Sequence, residues 1–233
     1  MLELVDVNTA YDGVPMLRNV NISIKKGELV CLLGPNGAGK TTTFRTLTGL
    51  IKPTQGSVKI LGQNISEIGA EKVARLGVGV VPEGRRLFGA LTVQENLLLG
   101  WRAVGNRKNF HDDLEKVCVL FPRIKERLSQ SSGTLSGGEQ AMVALARALI
   151  AEPALIIMDE PSLGLSPKLI DEYFETTDRV RKEGTTIFLI EQNAKKALAI
   201  ADRAYFLLKG QIAVSGTAEE LRENDAARET YFS

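Results

Sequence analysis

The sequence predicts an α/β fold organised on a parallel sheet, with an antiparallel β edge and a helical subdomain. Three observations carry this expectation. Short β-branched and apolar runs recur along the chain, several are separated by stretches whose apolar residues stand three and four apart, and two regions break the alternation in opposite ways. The strand-like runs are LELVDV from Leu2, VNISI from Val20, LVCLL from Leu29, SVKIL from Ser57, VGVV from Val78, ALIIM from Ala154, TIFLI from Thr186, AYFLL from Ala204 and QIAVSG from Gln211. Helical spacing marks TTTFRTLTGL from Thr41, AMVALARALIAE from Ala141, PKLIDEYFETTDRVRKEG from Pro167 and NAKKALAIAD from Asn193, and Gly or Pro closes several of them. In the first sixty or so residues strands follow one another without helical separators, which suggests an antiparallel β flap at one edge. From about Thr92 to Gly133 convincing strands are missing and helices with charged faces, such as NFHDDLEKVCVLF, are expected instead. The expected organisation is one domain over 1–233, with a core and β edge in 1–91 and 154–233 and a helical subdomain in 92–153.

With 44% apolar and 24% charged residues in a chain of 233, global disorder is excluded and a sizeable core is expected. Lys plus Arg number 29 against 28 Asp plus Glu, and no basic run forms the stripe that phosphate-backbone binding needs, so nucleic acid is not an expected partner. Cys31 and Cys118 have no CxxC partner and no His at ligand spacing, and read as buried thiols in a reducing compartment. The N-terminal stretch carries acidic residues and no basic flank before an apolar core, so no secretory leader is expected. The most apolar region, AMVALARALIAEPALIIM, is broken by Arg147, Glu152 and Pro153 and falls short of the ~20 apolar residues of a membrane span.

Gly34, Pro35, Asn36, Gly37, Ala38, Gly39, Lys40 and Thr41 match GxxxxGK[ST], between a strand-like run and a helical one that continues through Thr42. Glycines let such a loop curl its N–H groups inward onto a phosphate, and the helix behind adds its positive end. Lys40 is placed to reach the β and γ phosphates, and the Thr41 hydroxyl to ligate Mg²⁺. Asp159 and Glu160 end the run ALIIM, so a buried strand delivers adjacent carboxylates to its C-terminal edge, where open α/β sheets bind ligands. Strand alternation would point them apart, with Asp159 toward the metal and Glu160 toward an attacking water. Taken alone, the pair would equally suit capping of nearby backbone.

In LSGGEQ, Ser136 followed three residues later by Glu139 is a capping box, and Gly137 and Gly138 leave the first turn uncovered. The box has a purely structural use. As a second anion site without its own lysine, it is better explained as the cap on a nucleotide held by another subunit, which implies a dimer.

In this order, the phosphate loop, LSGGEQ and LIIMDEP resemble the nucleotide-binding subunits of ATP-binding cassette transporters, across essentially the whole chain. The resemblance implies a RecA-like phosphate-loop NTPase core, Mg²⁺-dependent ATP hydrolysis, and Tyr11 of TAYDG stacking on adenine. It implies two chains closing head to tail around two Mg²⁺-ATP, each held between Gly34–Thr42 of one chain and Ser136–Glu139 of the other. Three positions depart from the family pattern. Glu83 in VPEGRRLF stands where the family usually has Gln, Gln192 in LIEQNAKKAL where it has His, and Ser166 in SLGLSP where it has Asp. Gln192 still offers an amide N–H to the terminal phosphate but is neither cation nor base. Glu83 brings a negative charge to the metal site, tolerable where the metal or Arg85 and Arg86 neutralise it. VPEGRR together with EQNA resembles one subgroup, the ATPase subunits of branched-chain amino acid importers, and an active site is expected.

The resemblance thus implies a peripheral subunit on the cytoplasmic face of the inner membrane that powers import of a branched-chain or small polar amino acid. Its partners would be permease subunits, a second ABC ATPase chain (a paralogue or a copy of itself) and, indirectly, a solute-binding protein. Because the chain ends at Ser233 soon after its last strand, the permease is expected to be another polypeptide. Leu87, Phe88 and Leu91 would contribute to the groove that receives a permease helix. The ATPase of a lipid or polysaccharide exporter is the nearest alternative, a DNA-repair or ribosomal member would need inserts or tandem cassettes, and an ATP-binding scaffold is the non-enzyme alternative. His111, Trp101 and the charged face from Arg123 to Arg127 read as solvation and packing.

Overall fold

The computed structural model describes residues 1–104 and 109–223. The chain end at Ser233 lies outside the described residues.

The N-terminal strands form a sheet of their own. β1 (Leu2–Tyr11) and β2 (Val14–Ile24) are antiparallel and joined at Tyr11↔Val14 through Asp12 and Gly13, whose φ values of 47° and 80° are those of a tight hairpin turn. β4 (Gln55–Ile60) pairs with the other side of β1, and the two-residue β5 (Gln63–Asn64) completes the order β2-β1-β4-β5. The buried face of this sheet includes Leu2, Leu4, Val7, Leu17, Val20, Ile22, Ile24, Val58 and Ile60.

The second sheet has six strands in the order β10-β9-β3-β8-β7-β6, from β3 (Leu29–Leu33), β6 (Val78–Val81), β7 (Leu155–Asp159), β8 (Thr186–Glu191), β9 (Arg203–Leu208) and β10 (Gln211–Thr217). All pairings are parallel except β9 with β10. β3 corrects the expectation of an antiparallel run through the first sixty residues, because it lies in the middle of the parallel sheet. Its five residues are all buried, with no polar alternation, as a strand covered on both faces requires. Val30, Leu32, Ile157 and Phe188 pack toward the antiparallel sheet, and Leu29, Cys31, Ile156 and Leu189 pack toward the helices.

The helices are α1 (Lys40–Leu47), α2 (Ala70–Arg75), α3 (Val93–Ala103), α4 (Phe110–Leu120), α5 (Pro122–Lys125), α6 (Gly137–Leu149), α7 (Pro167–Lys182), α8 (Ala194–Ile200) and α9 (Ala218–Glu223). α2 and β5 have no counterpart in the sequence reading, since each is short and polar and α2 buries only Val73. Between Thr92 and Gly133 the described residues are mainly helical, with one isolated bridge between Thr92 and Ser131. Asn96, fully buried, accepts from the Phe88 N–H and donates to the Phe88 and Thr92 carbonyls, which pins the preceding loop to α3. Trp101 packs edge-on to Phe110 and donates its indole N–H to Asp113 at 2.9 Å, while His111 is exposed.

α3 crosses α6 at Gly100, where a Cβ would run into the Arg147 carbonyl oxygen. Gly100→Ala is therefore expected to destabilise the chain by ~1–3 kcal/mol, because backbone at a close crossing yields less than a side-chain tip. A thermal melt checks this, and an unchanged midpoint would show that the helices can part there at no cost.

Candidate active site

The phosphate-loop residues leave β3 at its C-terminal end. Gly37 and Gly39 have φ of 76° and 110°, a region open to glycine, and a Cβ on Gly39 would meet the Leu17 side chain at 2.9 Å. Gly39 precedes α1 without a side-chain cap, so the first-turn N–H groups remain available to an anion. Lys40 is buried, and its ammonium donates to the Gly34 carbonyl at 2.8 Å and the Pro35 carbonyl at 3.0 Å and pairs with Glu160 Oε1 at 3.1 Å. An entering phosphate oxygen therefore competes with three existing partners. Thr42 is buried and Thr41 half-buried at the start of the helix.

Asp159 ends β7, but Glu160 does not continue the strand alternation. Its φ is 44°, and its N–H donates to the Ile190 carbonyl at 2.9 Å on the neighbouring strand β8. This left-handed step brings Glu160 onto Lys40, and the Glu160 charge is still felt at Asp159. Asp159 is 1% exposed and its Oδ1 has no hydrogen-bond partner. Burial first, then the charges of Glu160 and Glu83, push the Asp159 carboxyl up to about 7.

Glu83 follows β6 and is exposed. The neutralisation expected from Arg85 and Arg86 does not occur through direct pairing. Arg85 donates instead to Gln140 Oε1 at 3.3 Å, and Arg86 Nε donates to the Glu83 backbone carbonyl at 3.3 Å. Both arginines are in left-handed backbone, at φ 65° and 47°, and Arg147 of α6 donates to both of their carbonyls, at 3.0 and 2.8 Å. Glu83, Arg85, Glu160 and Tyr173 line one cavity of about 230 Å³.

Among the described residues no group of three or more His, Cys, Asp or Glu side chains forms a metal cage. Mg²⁺ is commonly held by one or two carboxylates together with phosphate oxygens, so a cage is not what this cation needs. The orphaned Asp159 oxygen, with two more negative charges raising its affinity for protons, fits such a cation.

Gln192 is exposed just beyond β8. The Tyr11 hydroxyl accepts a hydrogen bond from Arg45 of α1 at 3.2 Å. The Ser136–Glu139 capping box is formed: Ser136 N–H and hydroxyl both reach Glu139 Oε2, at 2.9 and 2.8 Å, and Arg127 pairs with Glu139 Oε1 at 2.8 Å. Gly138 lets Leu169 approach, since a Cβ there would meet its methyls at 2.7 Å, and Gly137 lies against the Arg85 guanidinium. No hydrogen bond or ion pair among the described residues joins Ser136–Glu139 to Gly34–Thr42. The structure thus gathers the loop, Asp159 and Glu160 in one place. Sequence reasoning missed the Arg85–Arg147 link and the burial of Glu191, which it met only as the first residue of EQNA, a charge ending the apolar run TIFLI.

The ABC transporter family model matches residues 17–163. The chain belongs to the ABC transporter family. Across 232 residues it is 44% identical to the high-affinity branched-chain amino acid transport ATP-binding protein BraG of Pseudomonas aeruginosa, covering 100% of this chain and 99% of that one. The fold is that of the family's ATP-binding cassettes. It is similar to a solved ATP-binding subunit of an ABC transporter, with a TM-score of 0.85 and 30% identity over 100% of this chain and 96% of the other. A dimeric cassette in a post-hydrolysis state, bound to ADP and Pi, is similar at TM-score 0.81 and 25% identity, over 94% of this chain and 99% of its own. The resemblance read from VPEGRR and EQNA thus agrees with the relatives found along the whole ABC chain.

Proposed function

We propose that this chain is the Mg²⁺-dependent, ATP-hydrolysing subunit that powers import of a branched-chain or small polar amino acid through a separate membrane permease. The observation that best supports hydrolysis is the meeting of Lys40 with Glu160 beside the orphaned Asp159 oxygen. End-to-end similarity to a branched-chain amino acid transport protein supports the cargo class.

In this reading Gly34, Pro35, Asn36, Gly37, Ala38, Gly39 and Thr42 wrap the phosphates in backbone N–H groups, and Lys40 exchanges its carbonyl partners for phosphate oxygens. Thr41, Asp159 and Glu83 would hold Mg²⁺, which when bound would supply positive charge against the phosphates. Glu160 orients a water and takes its proton, Gln192 donates an amide N–H to the terminal phosphate, and Tyr11 stacks on adenine. Ser136, Gly137, Gly138 and Glu139, unconnected to the loop of their own chain, close on the nucleotide of a second cassette. We take that second cassette to be a paralogue. Residues 1–91 and 154–233 act as the core with its β edge, and 92–153 as the helical subdomain.

Among the described residues no helix is long and apolar enough to cross a membrane. A groove lined by Phe88, Leu99, Gly100, Val104 and Arg147 offers the permease a docking face, with Phe88 57% exposed. Leu87 instead packs partly buried against the core. The subunit then sits peripherally on the cytoplasmic face of the inner membrane, and a solute-binding protein acts from the far side without touching it.

Purifying the tagged chain from native membranes in mild detergent tests this. Polytopic subunits, a second cassette and an amino-acid-binding protein are expected to accompany it. Recovery with ribosomes or DNA, or alone, would overturn the transport reading, and recovery with a lipid- or polysaccharide-export permease would overturn the importer.

A further inference from the structure

Glu191 is the last residue of β8, one before Gln192, and is 2% exposed. Its carboxylate accepts backbone N–H groups from two separate segments: Oε1 from Ser162 at 3.2 Å, and Oε2 from Gln192 at 3.1 Å and Asn193 at 3.3 Å. Ser162 stands two residues beyond Glu160, whose own N–H is already tied to the Ile190 carbonyl on β8. Asn193 in turn caps α8 by accepting the Lys196 N–H at 3.2 Å. The turn that carries Gln192 is therefore held from behind by α8 and from beneath by Glu191.

A carboxylate in such a place is costly. Burial pushes its pKa up even though the Ser162 side chain and three N–H groups pull the other way, and its charge adds to burial in raising the pKa of the Tyr173 hydroxyl. Its partners are three backbone amides and the Ser162 side chain rather than a cation, so Coulomb pairing does not offset the desolvation. What the carboxylate supplies is geometry: two oxygens on one rigid fork, each facing a different loop.

We infer that Glu191 is a positioning residue that yokes the Gln192–Asn193 turn to the Pro161–Ser162 segment following Glu160, so that the water-orienting carboxylate and the phosphate-facing amide keep a fixed spacing. This rests on the roles given above to Glu160 and Gln192. Glu191→Gln preserves shape but turns an NH₂ group toward a backbone N–H, so one of the two segments loses its acceptor. The loop Gly34–Thr41 makes no hydrogen bond to Glu191, so the loop's own hold on the phosphates is left alone.

The test is steady-state ATP hydrolysis by the full-length chain in its membrane complex, for the wild type, Glu191→Gln, Gln192→Ala and the double variant. Glu191→Gln is expected to lower kcat by about tenfold to a hundredfold, the range a misplaced reacting group produces, with KM for ATP within about twofold. Because Glu191 acts through Gln192, the double variant is expected to be no slower than the slower single one. A kcat equal to wild type, a loss carried in KM, or penalties that multiply in the double variant would overturn the inference. A purely structural role would lower the melting midpoint without producing that non-additivity. If Glu191→Gln does not fold, Glu191→Asp, which keeps the charge and shortens the reach by one methylene, is read by the same outcomes. Absence of hydrolysis in the wild type would be a different failure, taking down the proposed function and this inference with it.

Discussion

Replacing Glu160 by Gln is expected to lower Mg²⁺-ATP hydrolysis by about 10²–10⁴-fold, the range for removing a general base, while leaving nucleotide binding intact. The amide fills the same space but cannot take a proton from water. Its second consequence is electrostatic. Glu160 pairs with Lys40 at 3.1 Å and adds negative charge beside Asp159, so its neutralisation frees the ammonium for phosphate and removes a repulsion from the site. ATP binding is therefore expected to hold or tighten as turnover falls. A particle that binds ATP and cannot hydrolyse it should accumulate in the closed, two-chain form. Turnover assays, with particle sizing in the presence and absence of Mg²⁺-ATP, check both parts, alone and with a paralogous cassette. Undiminished turnover would remove Glu160 from proton transfer. A particle that never enlarges, in either mixture, would remove the two-chain site.

Much of this site is legible in the sequence because its parts are short and local. Gly37 and Gly39 have to be glycines for the loop to close, and Ser136 and Glu139 have to stand three apart for the capping box to form. The strands are legible for a related reason: runs such as LVCLL and TIFLI are buried on both faces and carry no alternation to confuse the assignment. What the sequence conceals depends on partners distant in the chain. β3 reads as one more member of an N-terminal β run, and only its pairing with β8 and β9 places it in the parallel sheet. Arg85 reads as a neutraliser for Glu83, yet Arg147, 62 residues later, holds its carbonyl and leaves its side chain over Gly137. Glu160 reads as a strand residue, and its left-handed turn follows from a backbone bond to Ile190 that no local pattern announces. Glu191 is visible only as the first residue of EQNA, a charge where an apolar run stops, although it accepts N–H groups from two segments at once.

The same crowding of carboxylates makes the site a source of instability, and Asp159→Asn is expected to expose it. An Asp in the unfolded chain releases its proton near 3.8, whereas in the fold Asp159 keeps it up to about 7. Between those values the folded state binds more protons than the unfolded one, so this group's contribution to stability falls as pH rises through the window and stays lost above it. The side chain is 1% exposed, so solvent does little to soften the penalty, which is on the order of 4 kcal/mol at pH 8. Asn removes the charge and keeps the shape. In buffer free of divalent cations, Asp159→Asn should therefore melt roughly 8–16 °C above wild type at pH 8, with the gap closing near pH 4. Added Mg²⁺-ATP should raise the wild-type midpoint more than that of the variant, because only the wild type has the carboxylate that the cation relieves. Hydrolysis by the variant should fall about 10²-fold or more, as loss of a metal-held carboxylate in a site built on electrostatic stabilisation requires. A variant less stable than wild type at pH 8, or a gap that does not change with pH, would mean that Asp159 finds a compensating partner in solution. A stabilised variant that still hydrolyses Mg²⁺-ATP at the wild-type rate would leave the repulsion real but move the metal to other ligands, with Glu83 the first to examine. A more stable, inactive variant shows that the charge which weakens the empty fold is the one the chemistry needs.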